Sequence, residues 1–234
     1  MPNANDASTP SNLSPDLEQD YRKLETAISA GASTCATSTC ATPEALSLLR
    51  RYGRLVHDSS ASLALISDGD RSTVYTRHIL DSLNPLSIFE RPPTSALDVG
   101  SGAGFPGIPL AIAWPETTVV LLESREKKAG FLEHAARELG LRNVRVVCAR
   151  LEDNGGDWRV GPVASVFVRA VGDLPHVLVR ASRRTSPGAT WTYFLGAGTD
   201  EVPMISSLAA VGIMARVEPG TFGGRLLTGS LGAS

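Results

Sequence analysis

The chain has 234 residues, 42% of them hydrophobic, and a formal net charge of −2, enough for one large α/β domain with a helical appendage. That charge excludes a protein held to nucleic acid by overall basicity, and the lack of any run of about 18 apolar residues excludes a membrane-spanning helix. Three cysteines, Cys35, Cys40 and Cys148, are too scattered for a disulfide framework or a zinc site, so a reducing, cytoplasmic setting without a metal is expected; Cys148 closes an apolar run and reads as core.

In chain order, residues 1–15 and 31–42 are rich in Ser, Thr, Ala, Asn and Pro and read as a disordered tail and a linker, with one helix over Asp16 to Ala30 between them. The first residues carry neither the cationic nor the apolar stretch of a signal segment, so secretion is not expected. Pro43 suits the first turn of a helix with Leu46, Leu49, Leu55 and Val56 on helical spacing. A further helical stretch runs from Val74 to Leu83, making residues 43–92 a helical region. Residues 93–234 then alternate. Strands are expected at 95–99, 117–122, 143–148, 163–168 and 190–195, and helices near 106–113, 125–140, 173–184 and 200–211. This is a mostly parallel, doubly wound Rossmann-like sheet, with short strands near 213–218 and 225–228 as an antiparallel edge hairpin.

The most informative stretch is Leu97-Asp98-Val99-Gly100-Ser101-Gly102-Ala103-Gly104-Phe105-Pro106-Gly107, a strand leading into a glycine-rich turn and a helix. Such a turn lets a ligand approach the backbone, and the amides of the helix's first turn are expected to point into the same crevice. Gly102, Gly104 and Gly107 also satisfy the dinucleotide fingerprint, which leaves a nicotinamide-dependent oxidoreductase as a competing reading. Both cofactor classes expect Glu123, at the end of the next strand, to hold ribose hydroxyls. Asp98 tips the choice: a carboxylate there suits the ammonium of S-adenosylmethionine and would lie badly beside a pyrophosphate. Between Val120 and Ser186, twelve Lys or Arg face eight acids, so a local basic face around Arg125, Lys127, Lys128 and Arg169 is expected. His78 and Asp81 share helical i, i+3 spacing.

Taken together, His78-Ile79-Leu80-Asp81-Ser82-Leu83, the run Asp98 to Leu110 containing Gly104-Phe105-Pro106-Gly107-Ile108-Pro109, then Phe131-Leu132, Glu138-Leu139, Arg150-Leu151-Glu152 and Arg169-Ala170 resemble the glucose-inhibited division protein B family over residues 44 to about 227. Members of that family are small-subunit ribosomal RNA guanine-N7 methyltransferases. The resemblance implies a class I S-adenosylmethionine-dependent methyltransferase fold, that cofactor, a partner in 16S ribosomal RNA or the 30S particle, and a cytoplasmic monomer. It further implies that Gly100 and Phe105 line the methionine end of the cofactor, that Leu151 and Glu152 reach its adenine, and that Arg169 lines the same crevice. The candidate cofactor set is thus Asp98, Gly100, Gly102, Gly104, Phe105, Glu123, Leu151, Glu152 and Arg169. Arg169 and His78 are the candidates for the reaction itself. For Arg169 the plain alternative is an ion pair with Asp173 or Glu152.

Guanine N7 presents a lone pair, so its methylation needs alignment rather than proton abstraction. In keeping with this, the chain has no Pro-Cys nucleophile at Cys148 and no Asn-Pro-Pro-aromatic motif after the fourth strand. It departs from the family pattern at Leu195-Gly196-Ala197, where a Leu-Lys-Gly is usual, at Ala164, where an acid is usual, at Ser62-Leu63-Ala64, and at Leu226, where a histidine follows the arginine. The loss of a cation at Gly196 leaves room for two other readings: the same fold acting on another RNA or a small molecule, or a weakly active cofactor-binding protein that docks on the ribosome.

Overall fold

The computed structural model describes residues 13–31, 38–152 and 161–232; of the tail expected over 1–15 and the linker expected over 31–42, residues 1–12 and 32–37 lie outside the described residues. Helix α1 (Pro15–Gly31) buries Leu17, Tyr21, Leu24 and Ile28, an i, i+3/i+4 stripe. The sequence was read as a helix between a tail and a linker, whereas α1 joins the main core cluster. Its buried Asp20 accepts hydrogen bonds at Oδ2 from Tyr75 N (2.8 Å) and Thr76 N (3.3 Å), and at Oδ1 from Thr76 Oγ1 (2.5 Å). One carboxylate thereby satisfies the opening amides of a π-helical segment, Val74–Leu80, which carries Arg77 and His78. Within the expected linker, Ser38–Ala41 instead forms a 3-10 turn that buries Cys40, an apolar contact that the Ser/Thr/Ala composition does not reveal.

Helix α2 (Pro43–Leu63) starts as its sequence dictates, with Thr42 accepting from Ala45 N and Pro43 in the first turn. Its buried face is Ala45, Leu49, Tyr52, Gly53, Val56 and Ser60, so Leu46 and Leu55 fall on the flank. Gly53 decides this rotation. A Cβ there would lie 2.2 Å from the Tyr75 ring, so α2 turns its glycine toward that ring and packs closely against the π-helical segment.

Beyond these helices run β1 (Ser95–Val99), α3 (Gly107–Ala113), β2 (Thr118–Glu123), α4 (Glu126–Glu138), β3 (Val144–Cys148), β4 (Val163–Val168), α5 (Leu174–Ala181), β5 (Thr185–Leu195), α6 (Val202–Ala210), β6 (Arg216–Pro219) and β7 (Arg225–Ser230). The sheet order is β3-β2-β1-β4-β5-β7-β6, parallel from β3 to β5, with β7 antiparallel to β5 and β6 antiparallel to β7. Strand order reverses between β1 and β4, the position where open α/β sheets form a ligand crevice. Val99 lies beside Leu122 and Val168, and Glu123 beside Cys148, so the loops after these strands leave from one edge.

Side chains alternate across the sheet. Leu97, Val99, Val120 and Leu122 face the layer of α5 and α6, whereas Ala96, Val119 and Leu121 face the larger core under α1 to α4. Strand β5 begins five residues earlier than expected, and its register with β4 shifts between Val163 and Ser165. Pro187 and Gly188 lie in that irregular part, where a strand tolerates a missing amide and a positive φ. Cys148, expected in the core, is exposed: β3 is the edge strand and its last residue stands at the open end of the sheet. Among the described residues no helix is long and apolar enough to cross a membrane.

Replacing Asp20 by Ala should destabilise the chain by about 2–4 kcal/mol, since a cap is lost and buried amides are left without an acceptor. Urea unfolding measures this, and a loss below about 0.5 kcal/mol would mean that water replaces the carboxylate.

Candidate functional site

Two pockets open at the C-terminal edge of the parallel strands. One, of about 250 Å³, is lined by Val99 and Gly100 at the end of β1, Leu122 and Ser124 at the end of β2, Ala149 to Glu152 after β3, and Val177 of α5. The other, of about 650 Å³, lies over β4 and β5 and is walled by Arg169, Gly196, Arg77, Asp81, Asn84 and the 222–225 end of the β6–β7 turn, among others. Gly100 belongs to the first and Arg169 to the second, on either side of the β1–β4 reversal.

The glycine turn is satisfied almost wholly from within. Gly100 N and Ser101 N donate to Leu122 O, Gly104 N and Phe105 N to Ser101 O, and Ile108 N to Gly104 O. The expectation that the first-turn amides of α3 point freely into the crevice is therefore corrected: Gly107 N donates to Asp98 Oδ2 (3.1 Å), and the next amides close on the turn itself. What the turn offers a ligand is space. Gly100 has φ +73°, and a Cβ built on it meets nothing within 4 Å, so bare backbone faces the smaller pocket. Gly107 does the opposite: a Cβ there would lie 2.2 Å from Leu121 Cδ2, so its glycine lets α3 sit close on the sheet.

Asp98, the carboxylate expected to face the cofactor from the end of the first strand, is enclosed in this structure. Strand alternation turns it under α3, where it is 1% exposed. Burial pushes its carboxyl up to about 7, against the pull of the hydrogen bonds from Ser101 and Gly107 and of the Arg169 charge. Its Oδ1 is buried without a hydrogen-bond partner. Glu123, 7% exposed, accepts from Gly102 N and Arg125 N, each at 2.9 Å. Its carboxylate lashes the glycine turn to the start of α4 and retains lone pairs for further donors.

Phe105 is only 8% exposed. His78 stacks on it at 5.1 Å with planes 19° apart, and Tyr52 meets its edge at 5.5 Å. The ring is thus a packed wall with no open face for an unpaired base. His78 lines neither pocket. Burial and then the Arg169 charge push its pKa down to about 4, so the imidazole is neutral at pH 7 and its 3.5 Å approach to Asp70 is no charge pair. Tyr52 donates to Ala103 O (2.8 Å), and burial holds its phenol well above its ordinary pKa.

Arg169, with its side chain 19% exposed, pairs with Asp81 Oδ2 at 2.8 Å, not with Asp173 or Glu152. Its guanidinium also lies 6.0 Å from the Phe105 ring and 5.8 Å from that of Phe194. Glu152 instead stands 3.9 Å from both His176 and Arg180 on α5, a loose, exposed group at the rim of the smaller pocket beside Leu151. Arg125, Lys127 and Lys128 stand at the start of α4 after β2 and line neither pocket, whereas Arg169 walls the larger one. Gly196 lines the larger pocket, as does Arg225, which is held by Glu201 (2.8 Å) and Thr199 O (2.6 Å). Sequence reasoning missed Asn84, which is 1% exposed; preceding a proline, it reads as a turn residue, and the amides its Oδ1 accepts from, Phe222 and Gly224, lie 138 and 140 positions away.

The rRNA small subunit methyltransferase G family model (GidB) matches residues 45–201. The chain is 33% identical over 192 residues to the ribosomal RNA small subunit methyltransferase G of Carboxydothermus hydrogenoformans, covering 79% of this chain and 82% of that protein. It is 48% identical over 111 residues to the protein of the same name from Solibacter usitatus, covering 46% and 52%. The chain spans about half the length of several of the curated relatives it matches. A crystal structure of a methyltransferase from Pyrococcus furiosus superposes with a TM-score of 0.55 at 16% identity, over 78% of this chain and 98% of that one. The fold is that of the class I S-adenosylmethionine-dependent methyltransferases, with the helical region added at the N-terminal side.

A carboxylate with a raised pKa makes stability depend on pH with a definite sign. Unfolded Asp98 ionises near 3.8 and folded Asp98 near 7, so between those values the folded state keeps a proton that the unfolded state gives up, and stability falls as pH rises through this window. From pH 5 to pH 8 the wild type should lose on the order of 2 kcal/mol relative to Asp98→Asn. Denaturant titrations at the two pH values decide it, and parallel profiles would mean that folded Asp98 ionises at its ordinary value.

Proposed function

This chain belongs to the rRNA small subunit methyltransferase G family, and from that premise we propose that it transfers a methyl group from S-adenosylmethionine to guanine N7 of 16S ribosomal RNA. Its partner is the small-subunit ribosomal RNA or the 30S particle, and it works in the cytoplasm as a monomer. The observation that carries the reading is the pair of pockets flanking the β1–β4 reversal, with ligand-accessible backbone at Gly100 on one side and Arg169 on the other.

The residues present fit the cofactor. Gly100 leaves a cradle that a Cβ would fill, and Asp98 Oδ1 is a buried acceptor without a donor. In the bound state Glu123 would accept from the ribose hydroxyls, Leu122 and Leu151 would flank the adenine with Glu152 at its rim, and Asp98 would receive the ammonium. Gly102 and Gly104 shape the turn, and Phe105 backs the methionine end. When bound, S-adenosylmethionine supplies a methyl group made electrophilic by its sulfonium charge. No residue need remove a proton, because N7 offers its lone pair directly. The task of the protein is to align the two centres and exclude other orientations. Arg169 contributes the charge at the substrate pocket, where it meets phosphate or a base edge, while neutral His78 keeps Phe105 in place and takes no proton.

A second reading, the same chemistry on another RNA or a small molecule, draws on Gly196, which brings no side chain to the wall of the larger pocket at the place where the family resemblance leads one to expect a lysine.

Labelled cofactor incubated with 30S particles and with free ribosomal RNA should give product that maps to guanine N7. Label found only in another RNA or in small molecules would favour the second reading. Arg169→Ala should lower transfer about a hundredfold while leaving affinity for the demethylated cofactor intact; wild-type transfer would remove Arg169 from the site. Glu123→Ala should weaken cofactor binding by about 1.5–3 kcal/mol, the range for hydrogen bonds to a charged group. Calorimetry tests this, and a change well below that range would place the ribose elsewhere.

A further inference from the structure

We propose that Asn84 is a positioning residue for the transfer reaction: its carboxamide ties the 220–224 turn to the Asp81–Arg169 ion pair and so sets the aim of Arg169 in the substrate pocket. The inference rests on the methyl-transfer reading above. Asn84 opens a short 3-10 turn, Asn84–Ser87, behind the π-helical segment. Its Nδ2 donates to Asp81 Oδ1 at 2.9 Å, while Asp81 Oδ2 holds Arg169 at 2.8 Å. Its Oδ1 accepts from Phe222 N (2.8 Å) and Gly224 N (3.4 Å). Its backbone carbonyl accepts from Thr221 N and Thr221 Oγ1, each at 3.2 Å.

Donor and acceptor ends are therefore both committed, which fixes the orientation of the amide. The turn also fits closely around it: a Cβ on Gly224 would lie 2.2 Å from Asn84 Nδ2, and one on Gly220 2.5 Å from Oδ1. Asn84 thus connects three parts of the pocket wall that are remote in sequence: the helical region, the end of β4 and the turn before β7. A carboxylate with two acceptor oxygens can hold an arginine in more than one pose. Occupying Asp81 Oδ1 leaves Oδ2 for Arg169, so the amide selects one pose. The other charged groups on this pocket, Arg77 and Arg225, have carboxylates of their own in Asp70 and Glu201, each at 2.8 Å.

The chemistry of the amide supplies a test that simple structural support would not pass. A protonated carboxylic acid has the same shape as a carboxamide and can donate to Asp81 while accepting from the turn. Ionised, it repels Asp81 and donates nothing. Two carboxyl groups this close share one proton, and their joint titration is shifted upward. Relative to wild type at each pH, Asn84→Asp should show a depressed kcat at pH 8 that recovers toward pH 6, with the KM for S-adenosylmethionine unchanged. Asn84→Ala should show a kcat lowered about tenfold or more at every pH. Wild-type kcat in both variants overturns the proposal, and so does an equal loss at every pH in Asn84→Asp, which would make the amide a support of the fold alone. Should the wild type transfer no methyl group to small-subunit RNA, the functional reading fails and amide hydrogen exchange at Phe222 and Gly224 decides the positioning claim. Protection lost in Asn84→Ala and regained at low pH in Asn84→Asp upholds it, and unchanged protection in both overturns it.

Discussion

The ion pair between Arg169 and Asp81 joins the helical region to the end of β4, and the larger pocket is arranged around it. Removing either partner would leave a largely enclosed charge uncompensated, the costly outcome for such pairs. The same guanidinium faces the rings of Phe105 and Phe194, and its charge adds to burial in keeping His78 neutral. A neutral imidazole can lie flat on Phe105 without bringing a second cation beside Arg169. One charge therefore organises a carboxylate, an imidazole and two aromatic rings.

The strand ends beside the glycine turn are organised by two buried carboxylates. Asp98 is enclosed under α3, where burial works against its ionisation, and it holds the Gly107 amide that starts the helix. Glu123 stands one strand away, also buried, and bridges the Gly102 and Arg125 amides. Each stabilises the loop geometry before any ligand arrives, which is the sense in which a site is preorganised. A group that already spends lone pairs on the fold can still accept from a ligand, because a carboxylate has about four acceptor positions.

Much of the fold was legible because alternating apolar runs and glycine turns are local signals: the five parallel strands fall where the pattern puts them, and the edge hairpin follows. The α2 stripe was read one step off because Gly53, not the leucine spacing, decides which face meets Tyr75. Cys148 was read as core because an apolar run does not reveal that its strand lies at the edge of the sheet. In the site, Gly100 and Leu151 line one pocket together, whereas Arg169, expected in the same crevice, walls the other. Asp98 and Phe105 were legible as part of the motif, but their burial was not, since it comes from the pleat of β1 and from His78 on another element.

By itself the sequence determined the kind of fold, the place of the glycine turn and the family to which the chain belongs, since each rests on residues close together or on motifs with fixed spacing. Tertiary structure alone decided what those residues touch. Arg169 meets Asp81 across 88 positions, Asn84 meets Phe222 across 138, and Asp20 caps a segment 55 residues away. Such pairings come from the way helices lie on a twisted sheet, and a polar side chain has no periodicity to announce its partner. Burial is likewise a property of the assembled layers. It is burial that turns a carboxylate at a strand end into a group that titrates near neutrality, and a histidine in a family motif into an uncharged wall.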